Sequence, residues 1–283
     1  ALLSGRPNNP SPVDFSRLPY LIRDFEISYQ LSARLLEEHT QQEQLKHKPG
    51  FVAFAPVFAE KAPAGDNDYA SSVERVTRSV TVDGKQFAEL KESANEVNDI
   101  ARLFAATKHP VKTYLYNAAS ETALKSDEAE SAQFLHIATH GMINEDKPKL
   151  SALIFAAPAR ADAGGSRDRS DDGILYAGEV YNLKLGADLV VLSACESGLG
   201  KVSKGEGILG LTRGFLFAGA HNLVVSLWQV GDKSTADLMV QFYRNVLKGQ
   251  RYGTALRNAK IALIDARQYA HPIEWSPFVL TGR

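Results

Sequence analysis

Two side chains in this sequence, a thiol and an imidazole, stand where their types and surroundings allow covalent chemistry. Cys195 is the single cysteine of 283 residues. It follows the apolar run Asp188 to Ala194 (DLVVLSA) and precedes a stretch of small residues that includes Gly198 and Gly200. A tight loop exposes what a strand would hide, and a thiol placed there is a strong nucleophile once a base or a positive field makes it a thiolate. The opposing reading is a buried and inert cysteine, the usual fate of that residue. His140 ends a second apolar run, Gln133 to Thr139 (QFLHIAT), and is followed by Gly141. An imidazole with a near-neutral pKa serves as a base toward a thiol and as an acid toward a leaving group. The glycine lets a backbone N–H approach a substrate.

Other chemistries find less support. His136 lies four positions before His140, but HxxxH here lacks the Glu of zinc peptidases, so His136 is expected to pack or hydrogen-bond within the sheet. One cysteine excludes an intramolecular disulfide and a zinc site built on several thiolates. Gly198, Gly200, Gly205 and Gly207 form no phosphate loop, because the GxxxxGK[ST] spacing is missing. No cofactor or metal is expected. Net charge is -1 and no Lys/Arg run occurs, which leaves nucleic-acid binding by a basic face unsupported. The longest apolar stretches, Leu189 to Ala194 and Leu223 to Trp228, have strand length and fall well short of the roughly 20 residues that cross a bilayer. The chain begins at Ala1, as a processed or excised piece would, and shows no leader pattern. A lone reactive thiol fits a reducing, cytoplasmic setting.

Side chains from separate segments meet only if the elements that carry them are neighbours. Val111 to Tyr116, Gln133 to Thr139, Ser151 to Ala156, Asp188 to Ala194 and His221 to Trp228 read as strands, as does Phe51 to Phe58. Asp24 to Tyr29 has strand character too, and Phe278 to Leu280 suits an edge. Helical spacing marks Gln30 to Gln44, Phe87 to Phe104, Glu206 to Ala218, Asp232 to Leu247 and Tyr252 to Ala266, with shorter pieces at Ser120 to Ser126, Glu128 to Ser131 and Tyr176 to Leu183. Ala59 to Gly84 and Pro158 to Gly173 read as loops. Alternating apolar strands and helices predict an α/β fold, a mostly parallel sheet flanked by helices on both faces. Ligands bind such sheets beyond the carboxyl ends of the strands, where His140 and Cys195 both fall. The chain divides into a Pro-rich lead-in over 1–19, a supporting part over 20–130 and a catalytic part over 131–283.

His140 precedes Cys195 by roughly 55 positions, close to the roughly 50 found in caspases. The Gln of the caspase signature is absent, and Ser193 stands in its place. Several further segments, in fixed order, resemble the CHAT domain: HIATHG, LVVLSACESGLG, GEGILGLTRGFLFAGAHNLVVSLWQVGD, FYRNVLKG, ALRNAK and HPIEWSPFVLTG. That family has a caspase-like fold and is related to separases. The resemblance implies a cysteine endopeptidase with a catalytic His140–Cys195 dyad and an oxyanion hole from the N–H groups of Gly141 and Cys195. It also implies a protein substrate, a regulatory partner or an attached tetratricopeptide-repeat region, and service in bacterial defence or regulated cell death. The segment Trp228 to Asp232 is similar to a separase Trp-x-x-x-Asp stretch, which makes Asp232 a candidate for holding a basic side chain just before the cut bond. Capping of the following helix is an equal reading of Asp232, and both can hold. Ser193 and Trp228 are expected to line the same pocket, and Glu196 to contribute there or to face solvent. Glu206 is read as the start of a helix. Two other functions stay open: an idle interaction module that keeps the fold, and a thiol hydrolase or acyltransferase acting on small molecules.

Overall fold

The computed structural model describes residues 13–31, 48–56, 81–82, 85–86, 90–144, 146–157, 171–193, 195–196, 206–228 and 230–282. Along these the chain runs β1 (Lys48–Ala55), a two-residue pair β2 (Thr81–Val82) and β3 (Lys85–Gln86), α1 (Lys91–Ala106) and β4 (Val111–Leu115). Short helices α2 (Glu121–Leu124) and α3 (Asp127–Glu130) lead into β5 (Ala132–Ile137), β6 (His140–Met142), β7 (Ala152–Ile154) and β8 (Ile174–Tyr176). Then come α4 (Ala177–Val180), β9 (Leu189–Leu192), β10 (Cys195–Glu196), α5 (Glu206–Phe217) and β11 (Asn222–Ser226). The chain closes with α6 (Asp232–Leu247), α7 (Tyr252–Asp265), α8 (Pro272–Trp275) and β12 (Phe278–Thr281).

Six strands form the main sheet in the order β12-β11-β9-β5-β1-β4. All neighbours are parallel except β12, which runs antiparallel to β11 at one edge. The expected α/β class, a largely parallel sheet with helices on both faces, is what the chain adopts. Its inner strands are mostly apolar, so no polar face marks them in the sequence, yet alternate residues serve two separate cores. Phe51, Ala53, Phe134, Leu189, Val191 and Val224 pack with α1, α6 and α7 on one side. Val52, Phe54, Leu135, Ile137, Val190, Leu192 and Val225 pack on the other with Ile208, Leu211 and Phe215 of α5. Strands from both sides of the division expected near residue 130 share this sheet, since β1 lies between β5 and β4.

Some expectations are corrected. Asp24 to Tyr29 forms no strand. Leu21–Arg23 is a 3-10 turn held by Arg257, whose Nε donates to the Ile22 carbonyl at 2.8 Å and whose guanidinium also reaches the Arg23 carbonyl. That drape over α7 leaves Tyr29 to meet the sheet through one bridge to Thr281. The helix read over Gln30 to Gln44 and most of the two long loops lie outside the described residues. A second sheet also appears, four short strands in the order β10-β6-β7-β8. Ser151 to Ala156 contributes to this sheet rather than to the main one, as β7 antiparallel to both neighbours. Segments of two and three residues carry too little periodicity to be seen in sequence.

Candidate active site

The two sheets are joined where the candidate dyad sits. In the main sheet β5 and β9 are parallel neighbours, with Ile137 abreast of Leu192. The Ser193 N–H still donates to the Ile137 carbonyl at 2.9 Å as the strands leave the sheet. Both chains then cross into the small sheet and pair again as β6 and β10, also parallel, with His140 abreast of Cys195 and Glu196 abreast of Gly141. Each crossing advances its chain by the same three positions, from Ile137 to His140 and from Leu192 to Cys195. The step between the strands is therefore conserved, and the main-sheet register dictates which residues face each other in the small one. His140 and Cys195 are thus strand residues, not residues of loops after the strands.

The His140 side chain is buried. Its strand is held on the other side by β7, with His140 opposite Ile154, and Thr139 donates its hydroxyl to the Ile154 carbonyl. Gly141 lies in the middle of this ladder, between Glu196 and Leu153. For Cys195 and Glu196 the structure describes the backbone; their side chains lie outside the described residues.

Asp232 and Ser193 line one narrow cavity together with Leu90, Ser93, Glu96 and Thr235. Trp228 is not among them; its indole Nε1 donates to the Ile273 carbonyl at 3.2 Å and its side chain is about a third exposed. Asp232 is the first residue within α6, Gly231 holds the cap position, and no side chain caps that end. The capping alternative is therefore not realised. The Asp232 carboxyl is half-buried and its pKa is raised, first by desolvation and then by the negative charges of Glu96 and Glu92. Ser193 Oγ and Thr235 Oγ1 are buried and, among the described residues, have no hydrogen-bond partner. The cavity thus offers two carboxylates and three hydroxyl oxygens, one of them on Ser93, whose Oγ donates to the Leu90 carbonyl, all of them able to accept hydrogen bonds.

Glu96, Ser93 and Thr235 went unnoticed in sequence reading. Glu96 is buried on α1 beside the stripe Ala94, Val97, Ile100, Phe104. A charged residue flanking an apolar helix face is the signal that could have found it. Its Oε1 sits 2.9 Å from Nε2 of His136, an ion-pair length although the N–H is poorly aligned for a hydrogen bond. Nδ1 of His136 lies 3.2 Å from the Tyr243 hydroxyl. Burial pushes the Tyr243 phenol well above its ordinary pKa, which keeps it a neutral donor. His136 is fully buried and ties α1, β5 and α6 together just behind the acidic cavity, the packing role expected of it.

A family model described as the CHAT domain matches residues 8–283. The chain is similar to tetratricopeptide repeat protein 28 of Mus musculus, at 28% identity over 179 residues, which is 53% of this chain and 7% of that protein. It matches the Homo sapiens protein of the same name at 35% identity over 109 residues, 38% of this chain and 4% of the other. It therefore spans a small fraction of these relatives. Among solved structures it is similar to the Saccharomyces cerevisiae separase-securin complex, with a TM-score of 0.48 and 13% identity, covering 95% of this chain and 14% of that one.

Proposed function

The chain belongs to the CHAT domain family, and from that premise we propose that it is a cysteine endopeptidase with a His140–Cys195 dyad. The observation that supports this best is the register in which the two residues stand abreast on adjacent parallel strands. In the proposed reaction the His140 imidazole takes the thiol proton and the Cys195 sulfur attacks a peptide carbonyl. Backbone N–H groups of Gly141 and Cys195 hold the oxygen as negative charge develops on it. His140 passes its proton to the departing amine, and water then cleaves the thioester.

The same reading assigns the acidic cavity to the residue before the cut bond. A cationic side chain would meet the Asp232 carboxylate by a charge-assisted hydrogen bond, with Ser193 beside it. The pKa of Asp232 is raised first by desolvation and then by Glu96 and Glu92, and a cation beside it would offset both and hold it as the carboxylate. Trp228 would act at the rim, and Glu196 by its charge next to the sulfur. The substrate is a protein, met in a cytoplasmic setting, in a defence or regulated-cell-death pathway on the family resemblance alone. Relatives named for tetratricopeptide repeats favour control by a repeat region or a partner.

The test is labelling of the whole chain by a peptide acyloxymethyl ketone carrying Arg at its reactive end. Modification is expected at Cys195, with His140→Ala slowing it at least about a hundredfold. Labelling at equal rates in the His140→Ala chain would remove the dyad, and no labelling of the folded protein would favour the idle module.

A further inference from the structure

Lys260 has no part in that chemistry, and its surroundings give it little to pair with. It extends from α7 and is 7% exposed. Its Nζ donates to the Phe278 carbonyl at 2.5 Å, and among the described residues it forms no ion pair. One carbonyl satisfies one of the three N–H donors of an ammonium. Burial alone pulls the Lys260 pKa down to about 7, with no neighbouring charge contributing.

Lys260 lines a cavity of about 90 Å³ with Ile22, Ile27, Tyr29, Trp275 and Ser276 among its other walls. Ile27 and Tyr29 of this wall belong to a short non-helical stretch that leaves them 36% and 53% exposed, and Phe25, two positions before Ile27, is 60% exposed. Large apolar side chains clustered at alternate positions mark an interaction surface better than single ones do. Among the charged groups around this stretch, Asp24 is exposed beside Phe25, and the others are engaged. Glu26 accepts from the Thr254 hydroxyl at 2.6 Å and lies 3.9 Å from Arg251; Arg23 pairs with Asp265 at 2.8 Å; Arg257 binds the carbonyls of Ile22 and Arg23. Tyr29 is the other titratable group that lines the cavity. The cavity therefore combines exposed apolar side chains with a buried lysine that, among the described residues, has no anionic partner.

We propose that this cavity is a docking site for an acidic side chain of a protein partner, its carboxylate pairing with Lys260 while flanking apolar residues cover Phe25, Ile27 and Tyr29. The surplus donors of the ammonium give the carboxylate its place, and the exposed apolar side chains distinguish a peptide from a free anion. The site is independent of the peptidase reading.

The probes are capped Leu-Glu-Leu, capped Leu-Gln-Leu and sodium propionate. They are added to the whole chain carrying Trp228→Phe, so that Trp275 at the cavity wall is the reporting indole. The Glu peptide is expected to shift Trp275 emission saturably, at least tenfold more tightly than the Gln peptide, and Lys260→Met is expected to erase that difference. Binding must also weaken between pH 6 and pH 9, as the amine loses its proton. Equal binding of the two peptides, or none, overturns the proposal. So does propionate binding as tightly as the Glu peptide, which makes this a site for small anions. The comparison of Glu with Gln peptides needs no Lys260 variant and decides the matter even if that variant folds poorly.

Discussion

Asp232 shows a side chain placed against its own electrostatic interest. Desolvation and two nearby glutamates raise its pKa, so holding it ionised at neutral pH costs stability in the folded chain. The sign follows from proton uptake. Between the unfolded pKa near 3.8 and the raised folded value, the folded chain binds more protons, so its stability falls as pH rises through that window. Asp232→Asn is thus expected to raise the melting temperature at pH 7, by roughly 1–2 °C for a half-exposed group, with the gain fading below pH 4. Thermal scans at the two pH values check this. In the same variant, a panel of peptides differing at the residue before the cut should lose its preference for Arg and Lys. A wild-type preference for acidic or apolar residues there would refute the assignment of a basic side chain to this acidic cavity. Cys195 and His140 stand out in the sequence because each follows an apolar run and precedes glycines, and the structure places them at the starts of β10 and β6. Glu96 and Thr235 do not, since helical periodicity tells which face of α1 or α6 is buried and says nothing about which distant residue it meets.

At the scale of elements, the crossing between the two sheets governs the site. Matched three-residue steps carry the Ile137–Leu192 register over to His140 and Cys195. One Gly inserted after Ala138 lengthens one step alone and slides β6 against β10. The expected outcome is loss of Cys195 labelling by at least about a hundredfold, with the main-sheet core, and so most of the thermal stability, retained. Labelling that survives the insertion would show that register does not control the pair. The long strands and the helices α1, α5, α6 and α7 were readable from the sequence, because apolar runs and 3.6-residue spacing persist over whole elements. β6, β8 and β10 were hidden by brevity. Asp24 to Tyr29 misled because its residues suit a strand, while the Arg257 contacts that bend the chain come from far along it.

For the whole molecule, the sheet order makes the N-terminal part integral. With β1 between β5 and β4, and Phe51 and Phe54 in opposite cores, β5 and β9 have no finished sheet without it. Chain continuity is needed less elsewhere. β7 and β8, on either side of residues 158–170, are paired antiparallel, and both flanks are gripped from α2 and from Ala119, two residues before it. The Ala156 N–H donates to the Ala119 carbonyl at 2.8 Å, the Gly173 N–H to the buried Glu121 carboxylate at 2.9 Å, and the Thr122 N–H to Asp171 at 3.1 Å. Two polypeptides that end and begin within 158–170, produced together, are expected to copurify as one folded species by gel filtration; recovery of either alone would contradict this. A severed peptide bond in that span would then act like an untied lace on a riveted shoe. The two halves would stay paired through β7 and β8, so a cut there would change the chain's connectivity without dismantling the body that carries the candidate site.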